Sequence, residues 1–177
     1  MSFTRLGRVR LAKGAIVGLD VDHLVTPDGR PIRRDVVRHA GGVGVLPVAD
    51  DHVWLVRQFR NAYGRELWEI PAGRVEPGEA PAETARRELE EELGAEAESL
   101  ASLAVLYPSP GYTSEVIHVF VAEGIVPGTR APDGAEERFG AVRAWELTVL
   151  LEMIEEGRLA DAKTQIAVLA WARRSGL

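Results

Sequence analysis

Gly73-Arg74-Val75-Glu76-Pro77-Gly78-Glu79 and, a little further on, Arg87-Glu88-Leu89-Glu90-Glu91-Glu92-Leu93-Gly94-Ala95 decide how this chain is read. Pro77-Gly78 marks a turn. Pro81 suits the first turn of a helix, where a missing N–H costs little, and Gly94 suits the position just past a helix end. A helix is therefore expected from roughly Pro81 to Leu93. Residues three and four apart share a helix face. Ala82, Ala85, Leu89 and Leu93 form an apolar stripe suited to packing on a sheet, while Glu88, Glu91 and Glu92 crowd together elsewhere.

The neighbours of those acids matter. Glu88 has Thr84, Ala85, Glu91 and Glu92 at helical contact spacing; Glu92 has Glu88, Leu89, Ala95 and Glu96. Neither meets a cation there, and like charges four apart cost a helix roughly 0.2–0.5 kcal/mol per pair. Two readings stay open on charge alone. One is a solvated acidic face, which the opposite-sign pairs Glu83–Arg87, Arg86–Glu90 and Arg87–Glu91 favour. The other is a site for a hard divalent cation, which prefers carboxylate oxygen.

From Gly73 to Ala95 the chain resembles the Nudix box, G-x5-E-x7-R-E-U-x-E-E-x-G-U with U bulky and aliphatic, and departs only in the small Ala95. The resemblance implies hydrolysis of a nucleoside diphosphate linked to another group. It implies Mg2+ as cofactor, with Mn2+ or Zn2+ as substitutes in vitro. Glu88, Glu91 and Glu92 would then be metal ligands and catalytic residues, joined by the carbonyl of Ala72. Arg87 would orient Glu91.

Outward from the box, Gly42–Val48 reads as a buried strand, Asp50-Asp51 as a turn and Val53–Arg60 as its partner. Leu67–Ile70 leads into Pro71-Ala72-Gly73. Further strands are expected near Ala101–Tyr107, Glu115–Glu123 and Val142–Glu146, then helices over Leu147–Glu156 and Ala162–Arg174, with Gly157 ending the first. Before residue 40, Ala15–Val21 and Arg33–His39 read as strands around the Asp28-Gly29 turn. The expected class is α/β: a Nudix-type α/β/α sandwich with a mixed sheet over 41–177, behind an N-terminal β subdomain over 1–40.

Composition excludes several chemistries. The 177 residues contain no cysteine, so there is no disulfide framework, thiolate zinc site or Cys nucleophile. A net charge of −6 argues against general nucleic-acid binding. No run reaches the length of a membrane span, and the N-terminus lacks the apolar core of a signal peptide, so a cytoplasmic protein is expected.

Water activation needs a base near the metal. Glu137, in the long stretch from Val126 to Gly140, and Glu115 are the two candidates, each equally readable as an exposed loop acid. In ADP-ribose pyrophosphatases, the subgroup this chain resembles from Val36 onward, a proline follows the box as Pro110 does here. A distal acidic loop supplies further carboxylates in that subgroup; here Glu136-Glu137 is cut short by Arg138-Phe139-Gly140. The stretches Val56–Arg60 and Leu67–Gly73 are similar to the same subgroup, which makes Arg60 a candidate diphosphate clamp, with Arg57 ranked below it. Glu69 is either an acceptor for a sugar or base edge or a solvent-facing strand residue. Asp161-Ala162-Lys163-Thr164-Gln165 also resembles the subgroup, where it begins a packing helix, giving Thr164 a structural role. A homodimer that exchanges the N-terminal β region is implied in the same way.

ADP-ribose is the expected substrate class, with AMP and ribose 5-phosphate as products. FAD, NADH, a dinucleoside polyphosphate, a GDP-sugar or coenzyme A would suit the same box. A non-catalytic nucleotide-binding module is a third reading, disfavoured because every box carboxylate is present.

Overall fold

The structure, a computed structural model, describes residues 2–130 and 140–177. It divides into two compact units, residues 1–41 with 107–116, and residues 42–106 with 117–177.

The smaller unit is an antiparallel sheet of β1 (Thr4–Lys13), β2 (Gly18–Val25) and β3 (Pro31–Arg38), in that order. Gly29, at φ +87, closes the β2–β3 turn by donating its N–H to the Thr26 carbonyl at 2.9 Å. The segment after Tyr107 docks on β3: Val37 N–H donates to Tyr112 O at 2.7 Å and Ser114 N–H to Val37 O at 2.9 Å. Asp20 is fully buried. It accepts from Arg10, and from Arg8 and Arg38 at 3.3 and 3.1 Å. Hydrogen bonding, from Arg10 above all, holds its carboxyl below the ordinary range. Leu6, Val9 and Leu11 are exposed, so this sheet gathers ions on its buried side chains and leaves apolar ones outside.

The larger unit is built on a mixed sheet in the order β10-β5-β4-β9-β8, with β6 paired to β5 and β7 to β4. The strands are β4 (Gly42–Ala49), β5 (His52–Arg60), β6 (Arg65–Glu69), β7 (Ala72–Arg74), β8 (Ala95–Leu106), β9 (Ile117–Pro127) and β10 (Ala141–Glu146). Among the described strands of this sheet, only β4 and β9 run parallel. Alternation along β4 explains the three layers. Val43 and Val45 face a cluster with Ala85 and Leu89 of α1 (Pro81–Glu88) and of the turn that follows it. Leu46 and Val48 face a larger cluster with Leu150 of α2 (Leu147–Glu155) and Ala167 and Val168 of α3 (Ala162–Ser175). Each buried Val or Leu among these stabilises the fold by about 1.5–3 kcal/mol.

Three local expectations are revised. The helix does not run uniformly to Leu93: beyond Glu88 it widens into a π-helical turn, Leu89–Leu93, ended by Gly94 at φ +69. Ala82 is exposed, and the buried face carries Thr84, Ala85 and Glu88. The strand after the box starts at Ala95, because Ala95 to Leu100 already pair with β9.

Candidate active site

The box begins as a braced turn. Glu79 accepts from the Glu76 N–H at 3.2 Å, from Thr84 Oγ1 at 2.7 Å and from Arg87 Nε at 3.0 Å. Glu83 reaches back to the Ala80 N–H at 2.8 Å, satisfying an N-terminal donor of α1.

Arg87 organises the acids around it. Its guanidinium donates to Glu79, to Glu88 Oε1 at 2.7 Å, to Glu91 Oε2 at 3.1 Å and to the Arg74 carbonyl at 3.2 Å. Neighbours three and four apart leave Glu88 without a cation; the structure supplies one from the adjacent position, since a long guanidinium bends sideways. Hydrogen bonding to Arg87 and Thr84 holds the Glu79 carboxyl down at about 2. A folded-state value below the unfolded one stabilises the protein above the unfolded pKa and stops doing so as pH falls through the folded one. This contribution is thus full above about pH 4.5 and fades towards about pH 2. Arg87→Met is expected to flatten that fall in urea midpoint relative to wild type; parallel curves through this window would contradict the pairing.

Glu88 and Glu92 are buried, at 6% and 1% exposure. The Glu88 carboxylate occupies the space a Cβ on Gly73 would need. Glu92 Oε2 accepts the Ala72 N–H at 2.9 Å, and Oε1 accepts from Gln58 Nε2. The short strand β7 therefore lies directly beneath both carboxylates. Among the described residues, no three carboxylate or imidazole groups converge at the spacing of a bound metal. Glu88 and Glu91 are drawn to Arg87, and Glu92 to two N–H donors. The donor set itself fits a hard divalent cation: oxygen donors throughout, with the Glu88 and Glu92 side chains buried above a glycine that leaves room for Glu88.

Beside this lies a second charged group. Glu69, 1% exposed, accepts from Arg60 Nε and Nη2 at 2.6 and 2.5 Å and from Lys163 Nζ. Donating hydrogen bonds to Glu69 raises the Arg60 pKa, and the charge of Glu92 adds to it. Arg57 points to the other face of β5, where it pairs with Glu66 at 3.4 Å and lies over the Trp68 ring at 5.8 Å. Glu69 thus meets neither solvent nor an open face. Pro110 and Glu115 belong to the smaller unit. Pro110 sits in the turn closed by Tyr112 and Thr113 N–H groups on Ser109 O, and Glu115 lies 3.6 Å from His39. Glu136 and Glu137 fall outside the described residues.

Residues 38–170 match the family model described as the NUDIX domain. The chain belongs to the Nudix family. It is 37% identical over 164 residues to the ADP-ribose pyrophosphatase of Bacillus subtilis (strain 168), covering 92% of this chain and 89% of that protein. It is 38% identical over 160 residues to the methanol dehydrogenase activator of Bacillus methanolicus, covering 90% and 86%. A crystal structure of an ADP compounds hydrolase superposes with a TM-score of 0.84 at 25% identity, covering 99% of this chain and 97% of that one. The chain is a Nudix hydrolase with the mixed α/β fold of that neighbour, and Nudix hydrolases generally need a divalent metal ion. Among the described residues no helix is long and apolar enough to cross a membrane.

Three residues of this Nudix hydrolase escaped the sequence reading. Gln58, buried on β5, grips Glu92 from 34 positions away. Its one sequence signal is a polar residue at an inward position of an alternating strand. Lys163 reaches Glu69 across 94 positions, which no local pattern reveals. Arg130 donates from Nε to the Glu92 carbonyl at 2.6 Å, capping the π-helical turn.

Proposed function

We propose that this protein hydrolyses the diphosphate of ADP-ribose to AMP and ribose 5-phosphate, with Mg2+ as the metal. The observation that carries the reading is the grip on Glu92 by Ala72 N–H and Gln58 beside Glu88 over Gly73. Similarity to an ADP-ribose pyrophosphatase along most of both chains supports the substrate.

In this reading Glu88, Glu91, Glu92 and the Ala72 carbonyl hold the metal, which when bound neutralises phosphoryl oxygens and lowers the pKa of water. Arg60 meets the diphosphate, oriented by the bidentate Glu69 contact. Arg57 is the weaker second candidate, being engaged with Glu66. A carboxylate, Glu137 first and Glu115 second, takes the proton of the attacking water. A P–O bond forms to that water, the bridging P–O bond breaks, and the pair of electrons leaves on the departing phosphate. Glu88 and Glu92, buried and hydrogen-bonded, have few alternative positions, which limits the reorganisation needed once the metal has drawn the carboxylates together. Pro110, carried by the smaller unit, is a substrate-side candidate on resemblance alone. The exposed Leu6, Val9 and Leu11 of β1 support a homodimer formed through the N-terminal sheet, and a cytoplasmic location completes the reading.

A substrate panel with nucleoside monophosphate release as the readout tests this. ADP-ribose is expected to give the highest kcat/KM, dependent on added Mg2+. A larger value for GDP-mannose, FAD, NADH, a dinucleoside polyphosphate or coenzyme A would reassign the substrate. Calorimetric binding of ADP-ribose with no turnover in Mg2+ would make the chain a binding module instead.

A further inference from the structure

Two consecutive side chains at the start of α3 hold the last residue of β6 and the residue that follows it into the site. Asp161 caps the helix: its Oδ2 accepts the Thr164 N–H at 3.0 Å and the Thr164 hydroxyl at 2.6 Å. The same hydroxyl oxygen accepts the Ile70 N–H at 2.9 Å, although Thr164 and Ile70 are 94 positions apart. Both residues are fully buried. Glu69 is the last residue of β6 to pair with β5, so Ile70 lies just past the ladder and Thr164 supplies its acceptor. Next to it, Lys163 spans Asp161 Oδ1 at 3.0 Å and Glu69, whose two oxygens also hold Arg60.

The chain continues without slack. Ile70 leads to Pro71, whose carbonyl accepts the Val45 N–H at 2.8 Å, and then to Ala72, whose N–H grips Glu92. One helix end therefore reaches the site along two routes. Through Thr164 and Ile70 it sets the loop that seats Glu92. Through Lys163 and Glu69 it sets the guanidinium of Arg60. A buried carboxylate shared by two cations is costly to leave half-paired, so the second route fixes Arg60 tightly.

We propose that Thr164 and Lys163 are positioning residues for the hydrolysis, Thr164 acting on the metal side through the Ile70–Ala72 loop and Lys163 acting on the substrate side through Glu69 and Arg60. The substrate arm rests on the ADP-ribose reading above; the metal arm does not. A shift of about 1 Å in a positioning group costs on the order of a hundredfold in rate, so separable losses are expected.

The test compares Thr164→Val, Thr164→Ser and Lys163→Met in Mn2+ binding by calorimetry without substrate, and in KM for ADP-ribose at saturating metal. Thr164→Val is expected to weaken Mn2+ binding about tenfold with KM within about twofold, and Thr164→Ser to restore it, as outer partners of a metal site typically contribute 10–100-fold. Lys163→Met is expected to raise KM about tenfold with Mn2+ binding unchanged. If Thr164→Val does not fold, Thr164→Cys, close in volume and a weak acceptor, decides the metal arm by the same isotherm. Variants that lose only thermal stability, with Mn2+ affinity and KM as in wild type, would overturn the proposal. Failure of wild type to turn over ADP-ribose would overturn the substrate reading while the Mn2+ isotherms still judge Thr164.

Discussion

Glu92→Gln is expected to lower Mg2+-dependent AMP release by about a thousandfold or more, roughly 4 kcal/mol of barrier. The substitution keeps shape and burial while removing the charge a divalent ion needs. The local geometry also says why the fold should survive. Each Glu92 oxygen faces an N–H donor, Ala72 on one side and the Gln58 amide on the other. A glutamine at 92 keeps its carbonyl oxygen for Ala72 and turns its NH2 to Gln58, which can flip to present its own oxygen. Donor–donor conflict is avoided, and the melting temperature should move by only a few degrees. Single-turnover AMP release over a Mg2+ titration gives the answer. Turnover within tenfold of wild type would remove Glu92 from the metal site and with it the main support of the mechanism.

Gly73→Ala is expected to cost about a hundredfold in turnover with little loss of stability. Gly73 is not among the glycines at positive φ, so its backbone accepts an L-residue without strain. The obstacle is the Glu88 carboxylate, which fills the place of the added methyl. Either that side chain swings away or β7 moves off the helix, and either displacement takes a reacting group out of register by about 1 Å. Gly7→Ala is the control, since a Cβ there meets nothing within 4 Å and its φ is not positive. Steady-state rates at saturating Mg2+ for both variants, read beside their urea midpoints, separate lost alignment from lost folding. An alanine at 73 with wild-type turnover would show that Glu88 does not need its seat.

The box was legible because its information is local. Turn, helix start, acid spacing and terminal glycine all lie between Gly73 and Ala95, and propensity and periodicity agree there. The main sheet was legible for a similar reason: β4 and β5 carry apolar runs that β-branched residues dominate. What the sequence hid is long-range. Gln58, Lys163 and Thr164 reach partners 34 to 94 positions away, and a helical wheel carries no trace of them. The widened turn at Leu89–Leu93 was hidden too, because a π-helical turn has no propensity of its own and forms when tertiary contacts favour it. β1 was missed since its apolar residues stay exposed and arginines interrupt them, so the alternation signals no core. Ala95–Leu100 reads as a helix former by composition, and pairing with β9 overrides that preference. Glu69 looked like a strand acid free to meet solvent or a sugar; only the fold reveals two cations closing on it.

At the rim of the small sheet, Thr4–Lys13 pairs with β2 alone among the described residues, leaving one row of backbone donors and acceptors uncommitted. Such a margin invites endless lateral addition of identical chains. Arg5, set against Asp22, Arg8 and Arg10, set against Asp20, and Lys13 line it with more cations than those two aspartates balance. Two of these margins laid side by side would repel, which discourages fibre growth during heating or concentration. Replacing these basic residues to tidy the surface would therefore open that margin to self-addition and take partners from the buried Asp20.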